Sequence, residues 1–310
     1  MDFQTQPHHG LEGVPNAAHL VELIRHWAET EPEQPAFLWI EPDGSTRSLT
    51  HAAIWDRVRT VAASLQERGA PGERILLLYP PGLDFLCGLA GTFAAGATAV
   101  PCPLPVAPRR GERFHSILAD SGAGHILTIG SVEDRLRNGP DGLLPGSIPC
   151  LSTDRLETAT DQWTDPDITP DHVALLQYTS GSTAQPKGVI LTHGNLIRNC
   201  AMIARAFGLR RSDLGVSWLP AYHDMGLVGG ILVPWLGGKP GILFSPTAFF
   251  TNPLLWLQTI SRYRARISGG PDSAYQWCVD RIAEADLAGL DLSDWEVAFT
   301  GAEPVRPDTI

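Results

Sequence analysis

The spacing of hydrophobic and polar residues along the N-terminal part of the chain alternates between that of helices and that of strands. The segment Leu20 to Ala28 carries apolar residues at helical spacing, which predicts a helix. The segments 36–40 and 45–49 flank Pro42-Asp43-Gly44, and this arrangement indicates two strands joined by a tight turn. The pattern that follows predicts a helix over 50–68, capped by the threonine at its start and ended by the next glycine.

Beyond this helix, short apolar runs alternate with longer amphipathic segments. Strands are predicted at 74–79, 98–102, 125–129, 173–178, 188–191, 216–219, 241–244, 265–268 and 296–300. Helices are predicted at 83–95, 112–121, 194–207, 225–235, 253–263 and 273–284. Residues 131–170 are rich in turn formers, with room for a short strand at 148–151. Because strands that alternate with helices form parallel sheets covered on their faces, the sequence predicts an α/β fold of layered parallel-sheet subdomains with flanking helices.

Composition places the chain among folded globular proteins. Its 310 residues are 43% hydrophobic and 18% charged, a balance that disordered chains and coiled coils do not have. The net charge of −11 would repel a phosphate backbone, so we expect no nucleic-acid partner. The charge-free stretch 85–108 is broken by glycines and prolines, and its uninterrupted part is shorter than the ~20 residues of a membrane span. This stretch predicts a buried helix followed by a buried strand.

The cysteines and the N-terminus indicate where the protein acts. The 5 cysteines are odd in number, and no two have C-x-x-C spacing. This pattern predicts buried free thiols in a reducing cytosol, and neither a disulfide framework nor a zinc site. The first residues lack the basic-then-apolar pattern of a secretion signal. We therefore expect a cytoplasmic protein with no metal site formed by its own side chains.

One segment between two predicted strands is rich in hydroxyl groups and contains one of the chain's two lysines. It reads Tyr178-Thr-Ser-Gly-Ser-Thr-Ala-Gln-Pro-Lys187-Gly188. Small residues let successive N–H groups turn toward an anion, the hydroxyls add donors, and the lysine adds charge. The composition predicts a phosphate-binding loop, with a flexible surface loop as the alternative. The other lysine, Lys239, lies outside such a loop, and we expect its replacement to have little effect.

A second segment, Ser217 to Gly226, follows a predicted strand and leads into an apolar helix. Its His223 and Asp224 lie where the carboxyl end of a strand meets the N-terminus of a helix, a position that favours ligands and anions. His223 is therefore a candidate to face a carboxylate or a phosphate. The alternative is that Asp224 only caps the helix and His223 is a buried, hydrogen-bonded side chain.

Two further loops follow predicted strands. Ser268-Gly269-Gly270-Pro271 has two glycines that allow close approach of a ligand or of neighbouring backbone, and a tight turn explains them equally well. Gly301-Ala302-Glu303-Pro304 presents backbone groups and one carboxylate at the same sheet edge. Neither loop alone identifies a chemistry.

Together and in this order, the four segments resemble the adenylate-forming superfamily, which contains acyl-CoA synthetases, luciferase and the adenylation domains of peptide synthetases. YTSGSTAQPKG is similar to the phosphate-binding loop of that superfamily, and GAEP is similar to its adenine-binding loop. The stretches SWLPAYHDMGLVGGIL, SPTAFFTNPLLWLQTISRYRA and SGGPDSAYQWCVDRI most closely resemble the fatty acyl-AMP ligases. The resemblance runs from about residue 20 to the end of the chain and covers only part of the family's large N-terminal domain.

The resemblance implies a reaction and a set of site residues. The family activates a fatty acid with ATP and Mg²⁺ to an acyl adenylate, releases pyrophosphate, and transfers the acyl group to the phosphopantetheine thiol of an acyl carrier protein. The implied β- and γ-phosphate contacts are Thr179, Ser180, Gly181, Ser182, Thr183 and Lys187. The implied adenine contacts are Gly301, Ala302, Glu303 and Pro304. The implied lining of the acyl pocket is His223, Asp224, Met225, Gly229, Ser268, Gly269 and Gly270, and the catalytic side chains are His223 and Lys187.

The resemblance also implies chemistry beyond residue 310. A segment that contacts adenine and magnesium, a ribose-binding aspartate and a small C-terminal domain with a catalytic lysine would all lie downstream. We therefore expect 1–310 to be a partial adenylation domain that is inactive by itself. Two alternatives stay open: a fatty acyl-CoA synthetase, and a non-catalytic remnant that binds nucleotide or docks a carrier protein.

Overall fold

The computed structural model describes residues 13–105, 108–138, 144, 148–179 and 186–307, with backbone alone at 108–110. Its helices are α1 (Leu20–Thr30), α2 (His51–Glu67), α3 (Leu83–Ala94), α4 (Pro108–Ser121), α5 (Gly130–Asn138), α6 (His193–Ala206), α7 (Val233–Gly237), α8 (Pro246–Thr251), α9 (Leu254–Tyr263) and α10 (Asp272–Arg281). Its strands are β1 (Pro35–Ile40), β2 (Thr46–Thr50), β3 (Arg74–Leu77), β4 (Thr98–Pro101), β5 (His125–Thr128), β6 (Cys150–Ser152), β7 (Val173–Tyr178), β8 (Gly188–Thr192), β9 (Gly215–Ser217), β10 (Gly241–Phe244), β11 (Ile267–Gly270) and β12 (Val297–Thr300). A π-helix (Met225–Leu232) leads into α7, and 3₁₀ turns lie at Thr153–Arg155, Thr160–Gln162 and Glu284–Leu287.

The chain forms two units, each built on a six-stranded sheet. The first unit is Met1–Asn16, Gln34–Leu49 and Asn199–Ile310, and the second is Ala17–Glu33 and Thr50–Arg198. In the first unit the strand order is β12-β11-β9-β10-β1-β2, with β1, β10, β9, β11 and β12 parallel. In the second unit the order is β6-β5-β3-β4-β7-β8, and β8 alone of the described pairs runs antiparallel to its neighbour. The predicted α/β class with layered parallel sheets is confirmed.

The core of the first unit lies between strand residues and aromatic side chains. Val216 and Ile242, from the neighbouring strands β9 and β10, are buried with Phe249 of α8 and Trp256 of α9. Burying each such side chain contributes about 1.5–3 kcal/mol, so this cluster fixes how α8 and α9 lie on the sheet.

The core of the second unit explains the charge-free stretch noted in the sequence. Helix α3 and strand β4 are almost wholly buried, as predicted for a helix and a strand covered on every side. Gly91 lies where α3 approaches α2, because a Cβ there would be 2.5 Å from Val61 Cγ1. Within the described residues, no helix combines the length and the apolar character needed to cross a membrane.

Local signals in the sequence set several element ends. At the predicted tight turn, the Glu41 N–H donates to the Ser45 carbonyl at 2.9 Å, and Gly44 has a φ of +80°. The Thr50 hydroxyl accepts a hydrogen bond from the Ala53 N–H at 3.2 Å and caps α2. The 5 cysteines are free, and Cys87, Cys102 and Cys200 are buried, in agreement with the predicted thiols.

Three helical segments differ from the sequence-based expectation. Helix α5 lies inside the stretch expected to form turns, and it carries an i,i+4 ion pair between Glu133 and Arg137 at 2.8 Å. Helix α8 was not predicted, although Ser245 caps it at the Ala248 N–H and a proline occupies its first position. The single α-helix expected over 225–235 is wrong, because its first eight residues form the π-helix and α7 begins only at Val233.

Candidate functional site

The predicted phosphate loop lies in the second unit and connects β7 to β8. Ser180, Gly181, Ser182 and Thr183 lie outside the described residues. The two ends of the loop are close, because Tyr178 pairs with Gly188 and the Thr179 N–H donates to the Lys187 carbonyl at 3.3 Å. Thr179 and Lys187 are both exposed, so the hydroxyl and the ammonium group are open to a ligand from solvent.

A buried tyrosine anchors the base of this loop. The Tyr178 hydroxyl donates to Asp120 Oδ2 at 2.6 Å, and burial raises the pKa of Tyr178 above its ordinary value. A Cβ at Gly188 would lie 3.0 Å from Tyr178 Cζ, so any larger residue there would push against the ring. The glycine that ends the motif therefore lets β8 pair closely over the tyrosine.

In the first unit, a cavity of about 600 Å³ lies beside β9 and the π-helix. Its lining includes five residues that the sequence marked for the site: His223, Asp224, Met225, Gly229 and Ala302. These residues come from two segments, one following β9 and one following β12, which lie in the same parallel sheet. Parallel strands end at the same sheet edge, and that edge is where ligands bind in α/β folds.

His223 and Asp224 lie at the start of the π-helix. The Asp224 carboxylate accepts a hydrogen bond from the Met225 N–H at 2.7 Å and caps the helix, and it also lies 2.7 Å from His223 Nδ1. The His223 side chain is 44% exposed, so the alternative of a buried, satisfied histidine is wrong. Asp224 therefore has the capping role considered from the sequence, and His223 lines the cavity.

The glycines of the π-helix have two different environments. A Cβ at Gly226 would lie 2.3 Å from the Pro220 carbonyl oxygen, and one at Gly230 would lie 2.7 Å from Ser217 Oγ. A Cβ at Gly229 would meet nothing within 4 Å, and Gly229 lines the cavity. Gly226 and Gly230 allow the helix to pack on the chain around β9, and Gly230 also lines the cavity. Gly229 leaves open space in the cavity wall.

The segment after β12 is held in place at the start of α10. The Glu303 carboxylate accepts a hydrogen bond from the Ser273 N–H at 2.5 Å, which lowers the pKa of Glu303. Arg306 Nε donates to the buried Asp272 carboxylate at 2.7 Å. Ala302, directly before Glu303, has a φ of +70°, an uncommon conformation for a residue with a side chain.

Two other residues of the predicted adenine motif have surroundings different from those of Ala302. Gly301 lies against the π-helix, since a Cβ there would be 3.8 Å from Met225 Sδ. Pro304 is exposed. The structure therefore brings part of the predicted adenine loop next to the predicted acid-binding residues.

The structure does not place Ser268, Gly269 and Gly270 in the wall of the described cavity, although they were expected to line the acyl pocket. The Ser268 side chain is 1% exposed, and its hydroxyl donates to the Val216 carbonyl and accepts from Trp256 Nε1, each at 2.7 Å. A Cβ at Gly269 would lie 2.2 Å from the Phe299 carbonyl oxygen, and one at Gly270 would lie 2.8 Å from the Trp218 ring. None of the three lines the described cavity, because their small size serves packing within the sheet and against Trp218.

The cavity also has lining residues that sequence reasoning missed. Ile203 and Phe207, from α6 and the residue after it, supply apolar surface, and Arg211 and Lys239 supply positive charge. Lys239 stood out in the sequence as the second of two lysines, but only its position before β10 brings it to the cavity. Among the described residues, no cluster of three or more His, Cys, Asp or Glu side chains could hold a metal ion.

The chain matches known proteins over most of its length. The family model described as AMP-binding enzyme matches residues 24–310. The chain is 39% identical over 303 residues to the medium-chain-fatty-acid–[acyl-carrier-protein] ligase JamA of Moorena producens (strain JHB), with 96% of this chain and 51% of that protein covered. It is 36% identical over 304 residues to the 4-hydroxyphenylalkanoate adenylyltransferase of Mycobacterium marinum (strain ATCC BAA-535 / M), with 94% and 49% covered.

A solved structure has the same fold. The fatty acyl-adenylate ligase from L. pneumophila, in complex with acyl adenylate and pyrophosphate, superposes with a TM-score of 0.89 at 37% identity. That match covers 94% of this chain and 51% of the other chain. The chain thus spans about half the length of the curated relatives and of this solved structure.

Proposed function

The chain belongs to the AMP-binding enzyme family, and we propose that it provides the acid-binding cavity and the phosphate-binding loop of a fatty acyl-AMP ligase. In the proposed reaction a carboxylate oxygen of the fatty acid attacks the α-phosphorus of ATP. The bond from the α-phosphorus to the bridging oxygen breaks, and that oxygen leaves with the electron pair as part of pyrophosphate. The acyl adenylate then passes its acyl group to the phosphopantetheine thiol of an acyl carrier protein, and AMP leaves.

A largely apolar cavity that His223 also lines is the observation that carries this proposal. Phe207, Val228 and Val233 give its body an apolar surface that suits an alkyl chain, while His223 and Ala302 lie at the end where a carboxylate would react. A buried methylene contributes about 0.8 kcal/mol, so a cavity of this kind favours a long acid over a short one. The similarity to proteins named as fatty-acid ligases supports the same substrate class.

No protein nucleophile is needed for this reaction, because binding aligns two anionic substrates and offsets their charge. We propose that Thr179 and Lys187, with the loop between them, contact the β- and γ-phosphates, and that Mg²⁺ bound with ATP would offset the negative charge of these phosphates. We propose that the 301–304 segment contacts adenine. With His223 Nδ1 held by Asp224, Nε2 is the histidine atom proposed to face the carboxylate or the α-phosphate.

The proposed location is the cytoplasm. The 5 free cysteines suit a reducing compartment, and ATP and acyl carrier proteins are available there.

Binding is the readout that tests this proposal on the chain itself. Calorimetric titrations would use ATP with Mg²⁺, dodecanoate, and a dodecanoyl sulfamate of adenosine that imitates the acyl adenylate. We expect all three to bind, with the sulfamate tightest because it occupies both the nucleotide and the acid positions. Lys187→Ala should weaken ATP and spare dodecanoate, and Gly229→Leu should do the reverse. Absence of binding for both ATP and dodecanoate would contradict the proposal.

A second assay distinguishes the acyl acceptor. Reaction mixtures of the whole protein would contain ATP, dodecanoate and either a phosphopantetheinylated acyl carrier protein or CoA. Mass spectrometry should detect the acylated carrier protein, and accumulation of acyl-CoA instead would favour the CoA-ligase alternative.

A further inference from the structure

Helix α4 carries a cation beside the phosphate loop that the sequence motif does not contain. Arg113, Ile117 and Asp120 are spaced at i, i+4 and i+7, so they share one face of the helix. Ile117 is buried in a core cluster that includes residues of β3 and β4, so this face lies against the sheet. Asp120 accepts the hydrogen bond from the Tyr178 hydroxyl at 2.6 Å. Arg113 Nη2 donates to the Thr179 carbonyl at 3.5 Å, so both polar residues of the face contact the beginning of the loop.

The contact with Thr179 locates Arg113 at the carboxyl edge of the second sheet. Thr179 follows β7, and Cys102 follows β4, the parallel neighbour of β7. Burial raises the pKa of Cys102 to about 12, and the nearby Arg113 guanidinium acts in the opposite direction, so the cation is close to both strand ends. The Thr179 N–H donates to the Lys187 carbonyl at 3.3 Å. One residue of the loop therefore contacts Arg113 through its carbonyl and Lys187 through its amide.

The charge of Arg113 is not offset by the described part of the chain. No carboxylate of the described residues lies within ion-pair distance of its guanidinium, whereas Arg137 of the same unit is paired with Glu133 at 2.8 Å. The bond to Thr179 is its one hydrogen bond to a described residue, and its buried Nε has no acceptor among them. A guanidinium has five N–H donors in a planar fork that matches two oxygens of a phosphate. Nη1 and Nη2 of Arg113 thus have donors left for an anion at the loop.

We propose that Arg113 binds the phosphates of ATP that leave as pyrophosphate, as a second cation beside Lys187. This inference rests on the proposed function, and it adds to the phosphate site a residue from a distant part of the chain. When the bond from the α-phosphorus to the bridging oxygen breaks, the electron pair stays on the pyrophosphate and increases its negative charge. A guanidinium in contact with this group offsets the charge as it forms, and it favours nucleotides that carry β- and γ-phosphates over AMP.

Inorganic pyrophosphate tests this contact without occupying the adenine or the acid position. The affinities for pyrophosphate, ATP and AMP, each with Mg²⁺, would be measured by calorimetry for the wild-type chain and for Arg113→Met, Arg113→Lys and Arg113→Gln. Arg113→Met should weaken pyrophosphate and ATP by about 5- to 30-fold, the range expected for a half-exposed charge-assisted hydrogen bond, and should change AMP by less than about 2-fold. Arg113→Lys keeps the charge without the fork, and its affinities should lie between those of the wild type and Arg113→Met.

Arg113→Gln separates ligand binding from support of the loop. Glutamine can still donate a hydrogen bond to the Thr179 carbonyl, but it has no charge. It should bind pyrophosphate as weakly as Arg113→Met, and wild-type affinity would instead show that the side chain only supports the loop. Arg135→Met is the matched control, because Arg135 is an exposed arginine of the same unit. Its helix, α5, contacts β6, which lies at the opposite end of the sheet from β7 and β8.

Chemical modification of the wild type gives a measurement that does not depend on the folding of any variant. Phenylglyoxal reacts with accessible guanidinium groups, and peptide mapping by mass spectrometry would give the rate of modification at each arginine. Pyrophosphate with Mg²⁺ should slow the modification of Arg113 and leave that of Arg135 unchanged. Denaturant unfolding would show which variants are folded and can be compared with the wild type.

The outcomes separate this inference from the proposed function. If the wild type binds neither pyrophosphate nor ATP, both are overturned. If both ligands bind and folded Arg113→Met binds them as the wild type does, the inference is overturned, while the effect of Lys187→Ala still decides the proposed role of the loop. Equal modification of Arg113 with and without pyrophosphate would likewise overturn the inference.

Discussion

Replacing Gly229 with leucine should shorten the acid that the cavity accepts without weakening the fold. A Cβ at this position meets nothing within 4 Å, and the glycine lines the cavity, so the new side chain has space to occupy. Glycine inside a helix is less favourable than most residues by roughly 0.5–1 kcal/mol. The free energy of unfolding should therefore stay the same or rise slightly.

The size of the effect on binding follows from the volume that leucine takes. Its side chain has four carbons and would displace roughly four methylene groups of a bound acid. At about 0.8 kcal/mol for each buried methylene, the loss is about 3 kcal/mol, or roughly 200-fold in affinity. Only acids long enough to fill the cavity should lose this amount, whereas butanoate should bind as before.

Gly226→Ala is the matched control three residues away, because Gly226 lies in the same helix and is not among the residues that line the described cavity. The added methyl group would lie 2.3 Å from the Pro220 carbonyl oxygen and 2.9 Å from the Leu219 carbonyl oxygen, so the π-helix must shift. Such overpacking typically lowers the free energy of unfolding by about 1–3 kcal/mol. Gly226→Ala should thus destabilise the protein and leave the preferred chain length unchanged, which is the opposite of the Gly229→Leu result.

The assay combines calorimetric titration of acids from acetate to tetradecanoate with denaturant unfolding of each variant. A Gly229→Leu protein that unfolds more easily and keeps the wild-type length preference would refute the reasoning, because Gly229 would then serve packing. Equal affinity of the wild type for acetate and dodecanoate would contradict the fatty-acid assignment. That result would favour an enzyme that adenylates a small acid or an amino acid.

Three further predictions concern other parts of the chain. Lys187→Ala should weaken ATP binding by roughly 10- to 150-fold, the value of a lost charge-assisted hydrogen bond. Arg205→Ala removes an equal, likewise exposed charge from α6, outside the phosphate loop, and should change the measured affinity little. Ser268→Ala should lower the free energy of unfolding by about 1–3 kcal/mol, because the Trp256 N–H loses its acceptor. The affinity for fatty acids should not change. A loss of acid binding without a loss of stability would show that Ser268 contacts the acid. Burial lowers the pKa of His193 from 6.5 to about 3. Between these pH values the unfolded state binds more protons than the folded state, so the free energy of unfolding should fall as the pH drops from about 6.5 toward 3. In denaturant titrations His193→Gln should make this pH dependence weaker, and an unchanged pH dependence would contradict the prediction.

Much of the fold could be predicted because its signals are local. The period of apolar residues identified most of the strands and helices, and the Thr50 cap and the turn at Gly44 are set by residues next to them in sequence. The π-helix was not predictable in this way, because an apolar run of eight residues gives the same signal for either helix type. The order of motifs along the chain was enough to indicate the family, and the match to AMP-binding enzymes confirms it.

The candidate site was predicted in part, and the remainder depended on contacts between distant segments. Gly226, Gly229 and Gly230 lie in one apolar run, and the sequence does not distinguish their roles. Gly226 packs against Pro220 and Gly230 packs against Ser217, whereas Gly229 has no such neighbour and leaves space. Ser268 has the sequence context of a ligand loop, but a hydrogen bond from Trp256, on another element, makes it part of the core.

The sequence by itself determined most of the element order, the motifs and the family, since these depend on residue types and their spacing. Tertiary structure alone decided the shape and charge of the cavity. Lys239 was expected to be unimportant, and it reaches the cavity together with Arg211 because β9 and β10 are parallel neighbours whose first residues meet at one edge. Strand pairing brings together residues that are far apart along the chain, and no local pattern of residues contains that information.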